Sequence, residues 1–209
     1  MPHDSYGISI SPDRFEDHVK FLKESVAVIH LNALAIEKMG VEPSVSITID
    51  DGYKDTLVAV DILERHGLPY TIYMITNNIN RDGYLSTDDL KQLAKSPLCQ
   101  IGSHTKSHTH LSSLSKEQQR DEIVGSKLDL ERELEMEVTH FSFPYGDFDQ
   151  QAYEIACQTY TTIATSKVGV NVAGSNAKLL RRIEVVASDT TDSVYRMISG
   201  YFDYLSLKR

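Results

Sequence analysis

Val45-Ser46-Ile47-Thr48-Ile49-Asp50-Asp51-Gly52-Tyr53 is the stretch that decides the fold. Val45, Ile47 and Ile49 alternate with Ser46 and Thr48, the two-residue period of a strand. The strand runs into two carboxylates and a glycine. Asp-Gly is a common turn dipeptide, but the next residues, from about Asp55 to His66, carry a helical pattern closed by Gly67 and Pro69. That disfavours a hairpin. Tyr70 to Thr76, rich in β-formers, reads as the next strand. Strand, helix and strand in this order form a parallel pair joined by a crossover helix.

The same alternation continues outward. Ser11-Pro12 opens the first helix, with Ser as N-cap and Pro at its first position, and Phe15, Val19 and Leu22 recur on one face. Ser86 to Ser96 reads as a short helix with a capping signal in Ser86 and Asp89, and Leu98 to Gly102 as a short strand. Ser115 and Gln118 form a capping box that opens a long helix carrying Ile123, Val124, Leu128 and Leu134. Val138 to Phe143, Thr161 to Thr165 and Ile183 to Ala187 are further strand candidates, with a loop from Gly169 to Lys178. The pattern fits an open doubly wound sheet or a closed or nearly closed β/α barrel, on one domain spanning 1–209. No internal repeat or linker interrupts it. Neither G-x-G-x-x-G nor a P-loop is present, so nucleotide binding has no support.

Composition narrows the classes. The 209 residues are 41% apolar and 24% charged, as in an ordinary globular protein, which excludes disordered and collagen-like chains. A net charge of −9 argues against a nucleic-acid partner. Cys99 and Cys157 are too few for a disulfide framework and read as core thiols. No apolar run reaches the roughly 18 residues of a membrane span. Met1-Pro2-His3-Asp4-Ser5-Tyr6 lacks the features of a signal peptide. The chain therefore reads as cytoplasmic, or as extracytoplasmic if a segment precedes it. Oligomeric state is left open.

Three polar clusters fall at predicted strand ends, where β/α folds carry their chemistry. The first is Asp50-Asp51. Two ionised carboxylates at close range repel, so a cation or a shared proton is expected beside them. The second is His104-Thr105-Lys106-Ser107-His108, with His110 as a third ligand or an exposed passenger. The i, i+4 spacing places both imidazoles on one side of a helical turn and suits two ligands of one Zn²⁺-like ion. Two His and one Asp leave a coordination position open for water, and a second carboxylate can take that water's proton. These side chains describe metal-assisted hydrolysis. The third cluster, Phe143-Pro144-Tyr145-Gly146, is either a plain strand-to-loop turn or a groove wall presenting a backbone N–H to an oxyanion.

The order Thr48-Ile49-Asp50-Asp51-Gly52-Tyr53, then His104-Thr105-x-x-His108, then Phe143-Pro144-Tyr145-Gly146 resembles the polysaccharide deacetylase family, carbohydrate esterase family 4, also called the NodB-homology domain. The resemblance runs from about Ser9 to Val186. It implies an α/β fold, a distorted (β/α)₇ barrel with its groove at the strand C-termini. It also implies hydrolysis of N-acetyl, or O-acetyl, groups on an acetylated glycan or amino sugar. Asp50 becomes the general base, while Asp51, His104 and His108 become ligands of a divalent metal, Zn²⁺ first and Co²⁺ or Ni²⁺ as alternatives. The Tyr145 N–H joins the metal in holding the oxyanion, and Tyr53, Pro144 and Arg182 line the substrate groove.

Two departures stand out. Many members carry an arginine that tethers the base where this chain has Ser142, and Arg182 is the candidate to supply that charge. Many also place a general-acid histidine near the C-terminus, whereas no histidine follows His140 here. A branch similar to the deacetylases of exopolysaccharide operons carries that histidine N-terminally, before a segment resembling Tyr6 to Phe15. This makes His3, or a group upstream of Met1, the expected acid. The rival readings are a catalytically impaired carbohydrate-binding domain that keeps its metal, and a small-molecule amidohydrolase on the same barrel. His18, His30, His66 and His140 read as structural or solvated, with His18 and His30 in helices; Tyr84 reads as a partly buried loop residue.

Overall fold

The computed structural model describes residues 10–33, 43–172 and 174–201. The described chain begins with α1 (Pro12–Ser25), where the Ser11 hydroxyl accepts from the Arg14 N–H and proline occupies the first turn. The strands are β1 (Ala27–Val28), β2 (Ser44–Val45), β3 (Ile47–Ile49), β4 (Tyr70–Met74), β5 (Cys99–Ser103), β6 (His140–Ser142), β7 (Thr162–Val168) and β8 (Leu180–Arg182). Between them lie α2 (Thr56–His66), α3 (Thr87–Leu93), α4 (Lys116–Arg120), α5 (Ser126–Leu134) and α6 (Gln150–Thr159), and α7 (Thr191–Ile198) comes after β8. Gly67, in the left-handed region at φ 69°, ends α2, and a reciprocal Ser86–Asp89 capping box starts α3.

β3 to β8 form a six-stranded, wholly parallel sheet in chain order, and β1 pairs with β2 beside it. Ser46 alone separates β2 from β3, so the eight strand segments occupy seven positions among the described residues. The sheet is strongly curled. Tyr73 of β4 clusters with Ala164 of β7, Leu180 of β8 and Leu31. In a flat sheet, β4 and β7 would stand about 14 Å apart, beyond the reach of these side chains. Arg182, on β8, contacts Asp50 beside β3, at the opposite edge of the sheet. This is the expected distorted β/α barrel, with its edges joined by a side chain rather than a backbone ladder.

Alternation along the strands separates two environments. Tyr70, Ile72 and Met74 point outward into the main core, packing with Val60 and Leu63 of α2, Leu90 of α3 and Ile123. Burying each such large apolar side chain contributes about 1.5–3 kcal/mol. The concave side is narrower. A Cβ on Gly102 would lie 2.6 Å from the Tyr73 ring, so only glycine fits there.

Several parts of the chain differ from the sequence expectation. The last strand among the described residues is Leu180–Arg182, and Ile183 to Ala187 is irregular, because pairing with β7 ends at Arg182 despite the β-branched residues beyond it. The helix opened by Ser115 is broken by a π turn at Asp121–Gly125. His30 lies after β1 in irregular backbone and is not helical. α6 and α7 have no counterpart in the sequence reading, although Asp149 and Thr190 cap them. Both cysteines are free and half-buried, and no helix among the described residues is long and apolar enough to cross a membrane.

Candidate active site

Each polar cluster lies at the C-terminal end of a parallel strand. Asp50 and Asp51 come directly after β3, His104 after β5, Ser142 ends β6 and Arg182 ends β8. The turn after β3 needs Gly52: its φ is 72°, and an added Cβ would overlap the Met74 sulfur at 2.4 Å.

Asp51, His104 and His108 offer ligand atoms that all lie within 4.8 Å of one another. The Asp51 Oδ1 atom is 3.2 Å from His108 Nε2 and 3.5 Å from His104 Nε2. His104 is buried, and its Nδ1–H donates to the Ser142 carbonyl at 2.7 Å, which leaves Nε2 as a bare lone pair facing the carboxylate. Asp51 Oδ1 is buried with no hydrogen-bond donor. Lone pairs that converge without a proton between them fit a cation. A tetrahedral ion with bonds of about 2.0–2.2 Å separates its ligands by about 3.3–3.6 Å, close to the spacing here.

The two histidines meet differently from the sequence expectation. Residues 104–110 form a loop and not a helical turn. Thr105 and His108 adopt φ of 66° and 55°, and the His108 N–H donates to the Thr105 hydroxyl. Among the described residues, six non-glycine residues have positive φ; four of them, Asp51, Thr105, His108 and Tyr145, belong to this site. Each such conformation costs about 1–3 kcal/mol and persists only where surrounding contacts impose it.

Asp50 sits beside this cluster, its Oδ2 3.7 Å from His104 Nε2. Arg182 grips it with both terminal nitrogens, at 2.7 and 2.8 Å. The guanidinium also donates to the Ser142 hydroxyl (2.9 Å), the Thr48 hydroxyl (3.3 Å) and the Thr165 carbonyl (3.1 Å). All five of its N–H donors are thus spent within the protein. Burial alone would push the Asp50 carboxyl up, but the charge of Arg182, with the hydrogen bonds from Arg182 and Ser142, outweighs it and holds the group below the usual carboxylate range. Asp51 moves the other way, raised chiefly by burial, while burial lowers His108.

Tyr145, at φ 58° and ψ 2°, comes after the buried Pro144, and its N–H donates to no group among the described residues. Its hydroxyl lies 3.1 Å from His108 Nδ1. His110 stands outside the three-residue cluster: its ring stacks on Tyr145 with centroids 4.3 Å apart, and Nδ1 faces Asp147 at 3.5 Å. Asp147 is fixed by the Ser112 N–H and hydroxyl. No local sequence signal marks this arrangement. Tyr53 is 40% exposed and stacks on Tyr84. His3 and Tyr6 to Ser9 lie outside the described residues.

Comparisons with known proteins bear on the family and the fold. A family profile described as polysaccharide deacetylase matches residues 38–163. YxkH of Bacillus subtilis (strain 168), named among the polysaccharide deacetylases, is 28% identical over 185 residues. That alignment covers 85% of this chain, and the chain spans 66% of that relative's length. The Streptococcus pyogenes deacetylase PplD, solved in complex with acetate, superposes with a TM-score of 0.86 at 21% identity, covering 95% of this chain and 92% of that one. IcaB from Ammonifex degensii superposes with a TM-score of 0.83 at 21% identity, covering 96% of this chain and 93% of that one. Strand-end carboxylates, paired histidines and a profile spanning 38–163 all lead to one assignment: the chain belongs to the polysaccharide deacetylase family.

Proposed function

We propose that this protein is a metal-dependent hydrolase that removes N-acetyl groups from a carbohydrate and releases acetate. The observation that carries the reading is the side-by-side placement of two unlike carboxylates. Asp51 shares a cluster with His104 and His108, while Asp50, 3.7 Å from His104 Nε2, is kept ionised by Arg182.

Asp51, His104 and His108 would hold a divalent ion, with zinc the first candidate from the one-carboxylate, two-imidazole donor set. When bound, such an ion polarises an acyl oxygen and acidifies water. Asp50 takes the proton from the attacking water. Arg182 keeps the Asp50 carboxylate oriented, and Ser142 leaves room for the guanidinium that reaches it from β8. The uncommitted N–H of Tyr145 is the donor for the developing oxyanion. Tyr53, which is exposed, flanks the sugar, whereas Pro144 is buried and can only shape the turn that presents Tyr145; protonation of the leaving amine falls to His3 or to an upstream group.

The test is acetate release from N-acetylated oligosaccharides, with and without chelator, beside zinc content. Asp50→Asn is expected to retain zinc and lose turnover, and His104→Ala to lose the zinc itself. Equal loss of metal in both variants, or turnover indifferent to chelator, would overturn the assignment.

A further inference from the structure

The loop that carries the two histidines is held from outside by a carboxylate that belongs to neither the metal cluster nor the base. Glu122 Oε2 accepts from the Lys106 N–H at 2.8 Å and the Ser107 N–H at 2.9 Å. Its Oε1 accepts from the Ser107 hydroxyl at 2.5 Å. Lys106 and Ser107 lie between His104 and His108, and the flanking Thr105 and His108 are the loop's two left-handed residues. Charge-assisted bonds to consecutive N–H groups are among the stronger contacts available to a loop. They act where backbone strain must be offset.

Glu122 is itself fixed. It sits in the π turn Asp121–Gly125, a wide turn of the kind often found at functional sites. The Ile123 carbonyl of that turn accepts from the Tyr160 hydroxyl at 2.7 Å and the Ser126 hydroxyl at 3.0 Å. Ser126 also pairs with Ser103, the residue before His104, at 2.7 Å. Ile123 is fully buried, so the turn is anchored in the core while its neighbour grips the loop.

We propose that Glu122 is a positioning residue for the metal ligands: by clamping the Lys106–Ser107 backbone, it sets the separation and aim of His104 and His108. This rests on the reading that Asp51, His104 and His108 bind a divalent ion.

The test measures zinc affinity by competition with a chromophoric chelator, and the visible absorption of the cobalt(II)-loaded protein, for wild type, Glu122→Ala and Glu122→Gln. Urea unfolding of each metal-free protein separates folding from positioning. Glu122→Ala is expected to bind zinc about 10- to 100-fold more weakly, as when a partner behind a ligand is lost, and to change the cobalt spectrum. Glu122→Gln keeps an oxygen for the two N–H groups and is expected to lose less. Wild-type affinity and spectrum in Glu122→Ala overturn the clamp while the metal site stands. A wild type that binds neither ion overturns the metal reading and the clamp with it. Should Glu122→Ala not fold, Glu122→Gln decides: weaker binding than wild type supports the clamp, and equal binding overturns it.

Discussion

Asp50 and Asp51 are neighbours in sequence with opposite titration. Asp50 is held low by Arg182 against the effect of burial, and Asp51 is raised by burial. Arg182→Met should therefore let the Asp50 carboxyl rise. A base must be ionised to work, so the acid limb of the pH–rate profile should move to higher pH. The turnover number should fall about tenfold or more, since an oriented base contributes roughly 10²–10⁴; an unmoved limb would argue against the tether. His140 gives a separate pH effect. Burial, then His30, pushes its imidazole down to about 4, and Nδ1 bonds the Thr162 hydroxyl at 2.7 Å. Between about 4 and the free value near 6.5, the unfolded chain takes up a proton that the folded one refuses. This contribution is complete above about 6.5 and is lost as pH falls toward 4, by up to ~3 kcal/mol. Urea midpoints measured from neutral to mildly acid pH should fall, and His140→Gln should flatten that fall. Asp50, Asp51, His104 and His108 are legible in the sequence because each comes at or near the end of an apolar strand. The full role of Arg182 is not, since its partner lies 132 positions away.

Among the elements, the turn between β3 and α2 is the most exacting. Gly52→Ala adds a left-handed alanine and drives its methyl into Met74, 2.3 Å from its Cε atom. The expected loss is about 2–4 kcal/mol from strain and overpacking, read by urea unfolding. Ser86→Ala removes one half of the α3 capping box and should cost only about 1 kcal/mol. The starts of α1, α3 and α4 are readable because a side-chain cap is a local signal. α6 and α7 show that a cap residue alone does not announce a helix: Asp149 and Thr190 each serve equally well in a turn. The π turn is not readable either, because the Tyr160 and Ser126 hydroxyls that satisfy its Ile123 carbonyl lie outside it. For β8, the β-branched residues point a few positions too far along the chain: strand pairing, not propensity, decides where it ends.

At the level of the molecule, the alternation of strand and helix foretells a parallel sheet, but the degree of curl depends on contacts between distant strands. If one ion is shared by residues after β3 and β5, its binding should stabilise the whole fold. Zinc at about 100 times its dissociation constant should add ~2.7 kcal/mol to unfolding stability. Chelator, or His108→Ala, should abolish that gain. The bridge between the two sheet edges carries one more implication. During synthesis on the ribosome, Asp50, Asp51, both loop histidines and Tyr145 all emerge well before Arg182. A nascent chain that has reached Val168 already holds those groups, yet its base has no cation to orient it. β8 is therefore the strand that arms the base, and a translation product that stops short of it is chemically unfinished even where its ligands are complete.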